Sequence, residues 1–141
     1  MTEDTEELAD ETAIRGLIAD YALALDAGDL DGCVQLFAAD AEFLVYGRSF
    51  AGRDGIAKMF RDAPRGLHLT RVSRIDVRDN TATAQSQVLF VRAGDLHLRP
   101  ALYDDELVRD TTDGGRWRFR RRRCRFVTSA GLADSPEVTS S

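Results

Sequence analysis

Several residue types are scarce in this chain of 141 residues, and each scarcity argues against a class of protein. Two cysteines, Cys33 and Cys124, cannot form the disulfide framework of a small secreted protein, so a reducing cytoplasm is the expected compartment. Basic residues are outnumbered 24 to 19 by acidic ones, and the net charge of -5 argues against a nucleic-acid partner. No apolar run approaches the roughly 18–20 residues of a transmembrane helix, so no membrane partner is expected.

Motifs for metals and cofactors are missing as well. Two histidines and two distant cysteines cannot assemble an ordinary zinc or iron site. The chain contains no dinucleotide-binding glycine pattern, no P-loop and no nucleophile elbow. We therefore expect no metal and no cofactor.

Helical signals occupy the first half of the chain. Apolar residues recur every three or four positions from about residue 5 to residue 26, which predicts an amphipathic helix. Gly28 suits the left-handed end of that helix, and Asp29 can cap a second, shorter one. A third short helix is expected over residues 53–61, before Pro64.

Strand signals dominate the rest. The segment AEFLVYGRSF is rich in strand formers and is interrupted at Gly47. Four long segments then alternate apolar with polar residues between turns, namely residues 68–79, 81–93, 96–110 and 116–127. Helices followed by an antiparallel meander predict one α+β domain over residues 1–127, with a polar tail over residues 128–141.

Three segments together carry a family resemblance: IADYALALDAGDLDGCVQLFAADAEF, GRSFAGRDGIAKMF, and the meander ending in DGGRWRFRRRR. In this order they resemble the SnoaL-like branch of the nuclear-transport-factor-2-like superfamily, over roughly residues 5–127. The resemblance implies a cone-shaped α+β barrel, with N-terminal helices packed on a curved antiparallel sheet around a pocket. It also implies a homodimer and a small cyclic ligand.

Asp26 and His68 are the candidates for chemistry. Taken alone, each has a plain alternative, as a solvated carboxylate and an isolated strand histidine. The dehydratase relatives, however, carry at these places an aspartate that orients a catalytic histidine, and Tyr21 precedes Asp26 at the spacing of a bile-acid dehydratase. A histidine titrates near neutrality and can take a proton from carbon. The resemblance therefore implies Tyr21, Asp26 and His68 as catalytic residues, provided that Asp26 lies at the C-terminal turn of its helix.

Four further residues are expected to contact substrate. The resemblance implies this role for Tyr46, which matches a substrate-holding phenol, and for Arg122, which matches an arginine that assists a leaving group. His97 and Tyr103 share a strand face with Asp105 by alternation, unless a bulge intervenes. Core packing is the alternative for the tyrosines, and a hairpin edge for His97. Most other arginines of residues 116–125 are expected on an exposed or subunit-facing side of the sheet, with the acidic N-terminal helix as a counterpart.

The expected function is that of a cofactor-independent dehydratase acting on a cyclic hydroxy-carbonyl compound, polyketide-derived and belonging to secondary metabolism. An isomerase of the ketosteroid type and a polyketide cyclase are the alternatives that use the same proton transfer. A non-catalytic ligand-binding or assembly module is the alternative from another class. Asp26 and His68 within hydrogen-bonding reach in a closed cavity would favour an enzyme.

Overall fold

A computed structural model describes residues 3–138, apart from the side chains of Glu3 and Ser73. Its helices are α1 (Glu3–Ala27), α2 (Leu30–Val34) and α3 (Gly52–Asp62). Its strands are β1 (Phe37–Val45), β2 (Arg48–Ala51), β3 (Gly66–Arg78), β4 (Thr81–Arg92), β5 (Leu98–Asp110), β6 (Arg116–Thr128) and β7 (Gly131–Ala133). The predicted helices and the four long strands are all present, with ends shifted by one or a few residues.

Helix α1 buries one stripe along its second half, formed by Ile14, Leu17, Ile18 and Tyr21. These positions recur at intervals of three and four residues, as a helix packed on a sheet requires. Leu8, by contrast, is 64% exposed and lies outside the buried stripe. Gly28 ends the helix with a φ of +83°, which a glycine adopts without strain. No helix within residues 3–138 is long and apolar enough to cross a membrane.

The sheet has the order β2-β1-β6-β5-β4-β3, with β7 added against β6. Strands β3 to β6 form the predicted antiparallel meander. Strand β1 is an exception, because it runs parallel to β6 and joins its other neighbour, β2, in a hairpin. Helices α1 and α3 cover the inner face by packing on β3 and β1. The resulting α+β cone confirms the predicted fold class.

The predicted tail contains structure of its own. Strand β6 continues to Thr128, and residues 131–133 pair with it as β7, with Val127 opposite Leu132. Residues 139–141 of the predicted tail lie outside the described part of the chain.

A bulge in β6 decides which of its side chains face the interior. Leu107 pairs with Phe119 and Glu106 pairs with Arg121, so Arg120 has no partner on β5. An extra residue reverses the alternation of a strand beyond it. The inward positions are therefore odd-numbered before the bulge and even-numbered after it: Trp117, Phe119, Arg122, Cys124 and Phe126.

Aromatic rings fill the interior around Tyr21. The centroid of its ring lies 5.8 Å from that of Phe119 and 6.0 Å from that of Phe60. Phe37 and Phe119 are completely buried, with centroids 5.1 Å apart. Such rings bury large apolar areas and lock one another in defined orientations. They fix the inner end of the pocket described below.

Gly66, the first residue of β3, should not tolerate a side chain. A Cβ there would lie 2.7 Å from the Phe90 ring and closer still to the Val91 carbonyl oxygen. We expect Gly66→Ala to lower the free energy of unfolding by roughly 1–3 kcal/mol, the usual effect of overpacking. Gly16→Ala is the matched control, since that position in α1 faces open space. It should raise the free energy of unfolding by about 0.8–1 kcal/mol through helix propensity.

Urea unfolding of both variants measures these effects. A Gly66→Ala protein as stable as the unsubstituted chain would contradict the close approach of β4 to the start of β3.

Candidate active site

One pocket opens where the ends of α1 and α3 meet the ends of β1, β4 and β6 and the starts of β3 and β5. Much of its wall is apolar and includes Leu25, Phe43, Phe60, Val88, Phe90 and Phe126. Its polar side chains include three tyrosines, His68 and two arginines. An apolar wall with a few convergent polar groups is typical of a small-molecule site. Within residues 3–138, no three metal-binding side chains lie together.

His68 lines this pocket, and both oxygens of the Asp26 carboxylate contact the histidine from behind the wall. The ring Nδ1 of His68 lies 2.6 Å from Asp26 Oδ1, and the backbone N–H of His68 donates to Oδ2 at 2.8 Å. The two side chains are 15% and 13% exposed for Asp26 and His68, respectively. A carboxylate can only accept, so it holds the proton of His68 on Nδ1 and leaves Nε2 as the basic nitrogen.

The end of α1 explains how the aspartate reaches the histidine. Asp26 lies in the last turn of α1, beside the pocket and outside its wall. The chain then reverses at Gly28, and Arg65 donates to the backbone carbonyl of Asp26 at 3.2 Å. A cation at this end is favourable, because the last carbonyls of a helix carry partial negative charge. Tyr21 itself lines the pocket, its ring centroid 6.3 Å from that of His68.

Opposing effects set the protonation of His68. Burial is the largest and lowers its pKa, whereas the hydrogen bond and the charge of Asp26 raise it. The more distant charge of Arg122 lowers it again, and the net direction is downward from the ordinary value of 6.5. His68 is therefore neutral at pH 7, the state in which Nε2 can accept a proton.

Two phenols lie deeper in the pocket, and Tyr21 contacts both His68 and Tyr103. Tyr21 and Tyr103 line the pocket and are 2% and 5% exposed. Burial raises the pKa of both above the ordinary value, so both stay protonated. A neutral phenol can donate a hydrogen bond to a ligand oxygen.

Arg122 lies behind these phenols and is not part of the pocket wall. Its guanidinium carbon is 3.7 Å from the Tyr103 ring centroid and 4.2 Å from that of Tyr21. Arg122 was predicted to contact substrate, but it contacts Tyr21 and Tyr103, which line the pocket. The physical reason is the depth of its strand position, which leaves the side chain 0% exposed.

Arg122 has a buried counter-charge in Asp105. Arg122 Nε lies 3.3 Å from Asp105 Oδ1, and neither side chain is exposed. Burial raises the pKa of Asp105 to about 6 even though the charge of Arg122 lowers it. Sequence reasoning placed Asp105 on the face of Tyr103 but gave it no role. The available indication was the spacing of two residues between Tyr103 and Asp105, which places both side chains on one face of β5. The structure confirms that both are buried there.

Tyr46 lies at the rim of the pocket. It occupies the turn between β1 and β2 with a φ of +57°, and its ring stacks on Phe126 at 5.4 Å. Its hydroxyl accepts a hydrogen bond from Arg99 at 3.2 Å. Arg99 was missed from the sequence, although it shares the parity of Tyr103 on β5.

His97 does not join the site. It precedes β5, whose pairing with β4 ends at Leu98, so strand alternation does not extend to it. Its backbone N–H donates to Asp95 at 3.1 Å, within the hairpin loop. It does not line the pocket, which agrees with the hairpin-edge alternative.

The arginines of β6 are more deeply placed and better paired than expected. Arg118 is 7% exposed and contacts Asp113 at 2.6 Å, and Arg125 on the outer side contacts Asp104 at the same distance. Asp10 of α1 contacts Arg109 of β5 at 2.7 Å and accepts a hydrogen bond from Trp117 of β6, so its ion pair is with β5. The homodimer implied by the family resemblance stays a prediction.

The family follows from a match to a sequence model described as the SnoaL-like domain, which covers residues 6–123. The chain belongs to the SnoaL-like family. No curated protein matches it. A protein of unknown function from Mycobacterium tuberculosis shares 26% identity, with a TM-score of 0.80 over 89% of this chain and 76% of its own.

Two other solved structures show the same fold. A candidate scytalone dehydratase from Novosphingobium aromaticivorans has a TM-score of 0.73 and 24% identity, covering 99% of this SnoaL-like chain and 95% of its own. LinA has a TM-score of 0.79 and 19% identity, covering 99% of both chains.

Removal of Asp105 alone should strongly destabilise the domain. Asp105→Leu leaves the charge of Arg122 buried and unpaired, and losing one partner of a buried pair costs about 3–5 kcal/mol. The double variant Asp105→Leu/Arg122→Met removes both charges and should recover most of this loss. Chemical denaturation of the three proteins measures the difference, and a double variant no more stable than the single one would refute the pairing.

Proposed function

We propose that this chain is a cofactor-independent dehydratase of a cyclic hydroxy-carbonyl compound, polyketide-derived and made in secondary metabolism. The observation that carries the proposal is the hold of Asp26 on His68 through two hydrogen bonds at the wall of an apolar pocket. The part-buried carboxylate keeps the ring proton on Nδ1, so that Nε2 is the basic nitrogen. Such a pair is the arrangement that orients and strengthens a general base.

The reaction begins with proton abstraction. Nε2 of neutral His68 takes a proton from the carbon next to the substrate carbonyl, and the electron pair of the C–H bond moves toward the carbonyl oxygen. Asp26 stabilises the imidazolium that forms, since its carboxylate already accepts the Nδ1 proton. The apolar wall excludes water and strengthens this interaction.

Charge that develops on the substrate oxygen is met by the two phenols. Tyr21 and Tyr103 are protonated, line the pocket and share a hydrogen bond, so one phenol proton remains to be donated to an enolate oxygen. The buried guanidinium of Arg122 behind them supplies positive charge without taking a proton. Donors fixed in place before the reaction stabilise a transition state more than mobile water does.

Elimination completes the cycle. The C–O bond at the β-carbon breaks as the enolate collapses to a C=C bond, and the imidazolium of His68 gives its proton to the departing hydroxide. Water leaves, and His68 returns to its neutral state. An isomerase or a cyclase would share the first step, and release of an unsaturated product with water separates a dehydratase from both.

Substitutions at the pair test the mechanism. His68→Ala should abolish turnover because it removes both the base and the acid. Asp26→Asn should lower kcat by about 10²–10⁴-fold, because it keeps the shape but misorients the imidazole. His97→Ala is the matched control and should be close to normal, since His97 lies outside the pocket.

A panel of hydroxylated cyclic ketones, followed by the absorbance of the conjugated product, supplies the readout. Melting temperatures establish that each variant is folded. Near-normal turnover by folded His68→Ala would refute the assignment and favour a binding module.

The pH profile supplies a second test. Since the base is neutral His68, kcat/KM should fall as the pH drops through its lowered pKa, below 6.5. Asp26 raises that pKa against burial, so Asp26→Asn should move the acidic limb to still lower pH. The unfolded chain takes up this proton before the folded one, so stability also falls as the pH drops through this range, and folding must be checked at each point. If the acidic limb of the profile stays at the same pH in Asp26→Asn, the limb reports the titration of a group other than His68.

A further inference from the structure

We propose that the ligand of this pocket carries a carboxylate, which Arg99 binds at the end of the pocket away from His68. The inference deepens the proposed function by naming a substrate class, and only the placement of a substrate edge at His68 rests on that function. It starts from the charge of the pocket. The chain as a whole is acidic, with a net charge of -5, yet the charged side chains along the pocket wall are Arg65 and Arg99.

Neither arginine is neutralised by the protein. In the described part of the chain, no carboxylate forms an ion pair with Arg65 or Arg99. Asp26, the nearest functional carboxylate, uses both oxygens on His68. An unpaired cation next to apolar surface attracts an anionic ligand group.

The two arginines differ in how far they are engaged. Arg65 is exposed, donates to the backbone carbonyl of Asp26 and lies against Gly28, where a Cβ would be 3.0 Å from its Nη2. It secures the end of α1. Arg99 uses Nη1 on the hydroxyl of Tyr46, while its Nε is shielded from solvent and has no hydrogen-bond partner. Each arginine thus engages one nitrogen, but Arg99 is partly buried in the pocket wall whereas Arg65 is exposed at the end of α1, so Arg99 is the better placed for an anionic ligand.

Strand register fixes how far Arg99 lies from His68. His68 pairs with Phe90 across β3 and β4, and Phe90 pairs with Arg99 across β4 and β5. The three side chains belong to the pocket wall and form one row across the sheet. Two strand spacings separate the ends of this row, or about 10 Å between backbones.

The row formed by His68, Phe90 and Arg99 indicates which shape and charge of ligand would fit the pocket. Phe90, whose ring centroid is 4.7 Å from that of His68, offers an apolar face on which a flat ring can lie. A ring system over Phe90 places one edge at His68 Nε2 and the opposite edge at Arg99. A planar carboxylate matches the fork of a guanidinium, which favours an aromatic or alicyclic acid.

Binding of simple probes tests this without any turnover. The probes are 2-naphthoate, its neutral isostere 2-naphthamide, and 2-naphthyl phosphate, each titrated into the full chain by calorimetry. We expect 2-naphthoate to bind at least 10-fold more tightly than the amide. Arg99→Met should abolish this preference, and Arg99→Lys should retain part of it. Arg71→Met is the matched control, because Arg71 is an exposed β3 residue outside this pocket, and it should change nothing.

The outcomes separate this inference from the dehydratase mechanism. The carboxylate preference should persist in His68→Ala, so a failed mechanism would leave it intact. Equal binding of acid and amide, or a preference that survives Arg99→Met, would overturn it. Tighter binding of the phosphate than of the carboxylate would overturn the assignment to carboxylates. If Arg99→Met does not fold, the unsubstituted chain is titrated at low and high salt. The preference for the acid over the amide should weaken at high salt because salt screens a charge contact, and a preference that salt leaves unchanged would overturn the inference.

Discussion

The double hydrogen bond between Asp26 and His68 joins the end of α1 to the start of β3, and the candidate site depends on it. One oxygen fixes the backbone of the strand and the other fixes the imidazole, so the ring cannot turn independently of the helix. A shift of one residue along α1 would rotate the carboxylate by about 100° and remove it from His68. The helix end at Gly28 and the contact from Arg65 therefore help to position the candidate pair.

Charges are arranged in layers along the cone. Deepest is the ion pair of Arg122 and Asp105, both fully buried. The protonated phenols of Tyr21 and Tyr103 come next, so the cation acts on the pocket through neutral donors. His68 lies on the pocket wall, where burial and Asp26 act on its pKa in opposite directions. This order places a neutral imidazole and protonated phenols at the pocket and keeps the guanidinium of Arg122 behind them.

The sequence by itself determined the local elements and the class of fold. Helical periodicity, glycine and proline at the helix ends, and strand alternation depend on neighbouring residues, so α1, α3 and the meander were predictable. The order of segments carried the family resemblance, which a match over residues 6–123 confirms. It also pointed to Asp26 and His68, whose meeting the structure then measured as a 2.6 Å contact.

Only the tertiary structure decided the features that depend on pairing between distant segments. The bulge at Arg120 turns Arg122 to the interior, and no local signal marks which residue of an arginine run is left unpaired. Asp105 became the partner of Arg122 because register brings β5 and β6 together. His97 fell outside the site because its strand begins one residue later. Alternation fixes the face of a side chain only relative to its own strand, whereas bulges, register and strand ends are set by the whole sheet.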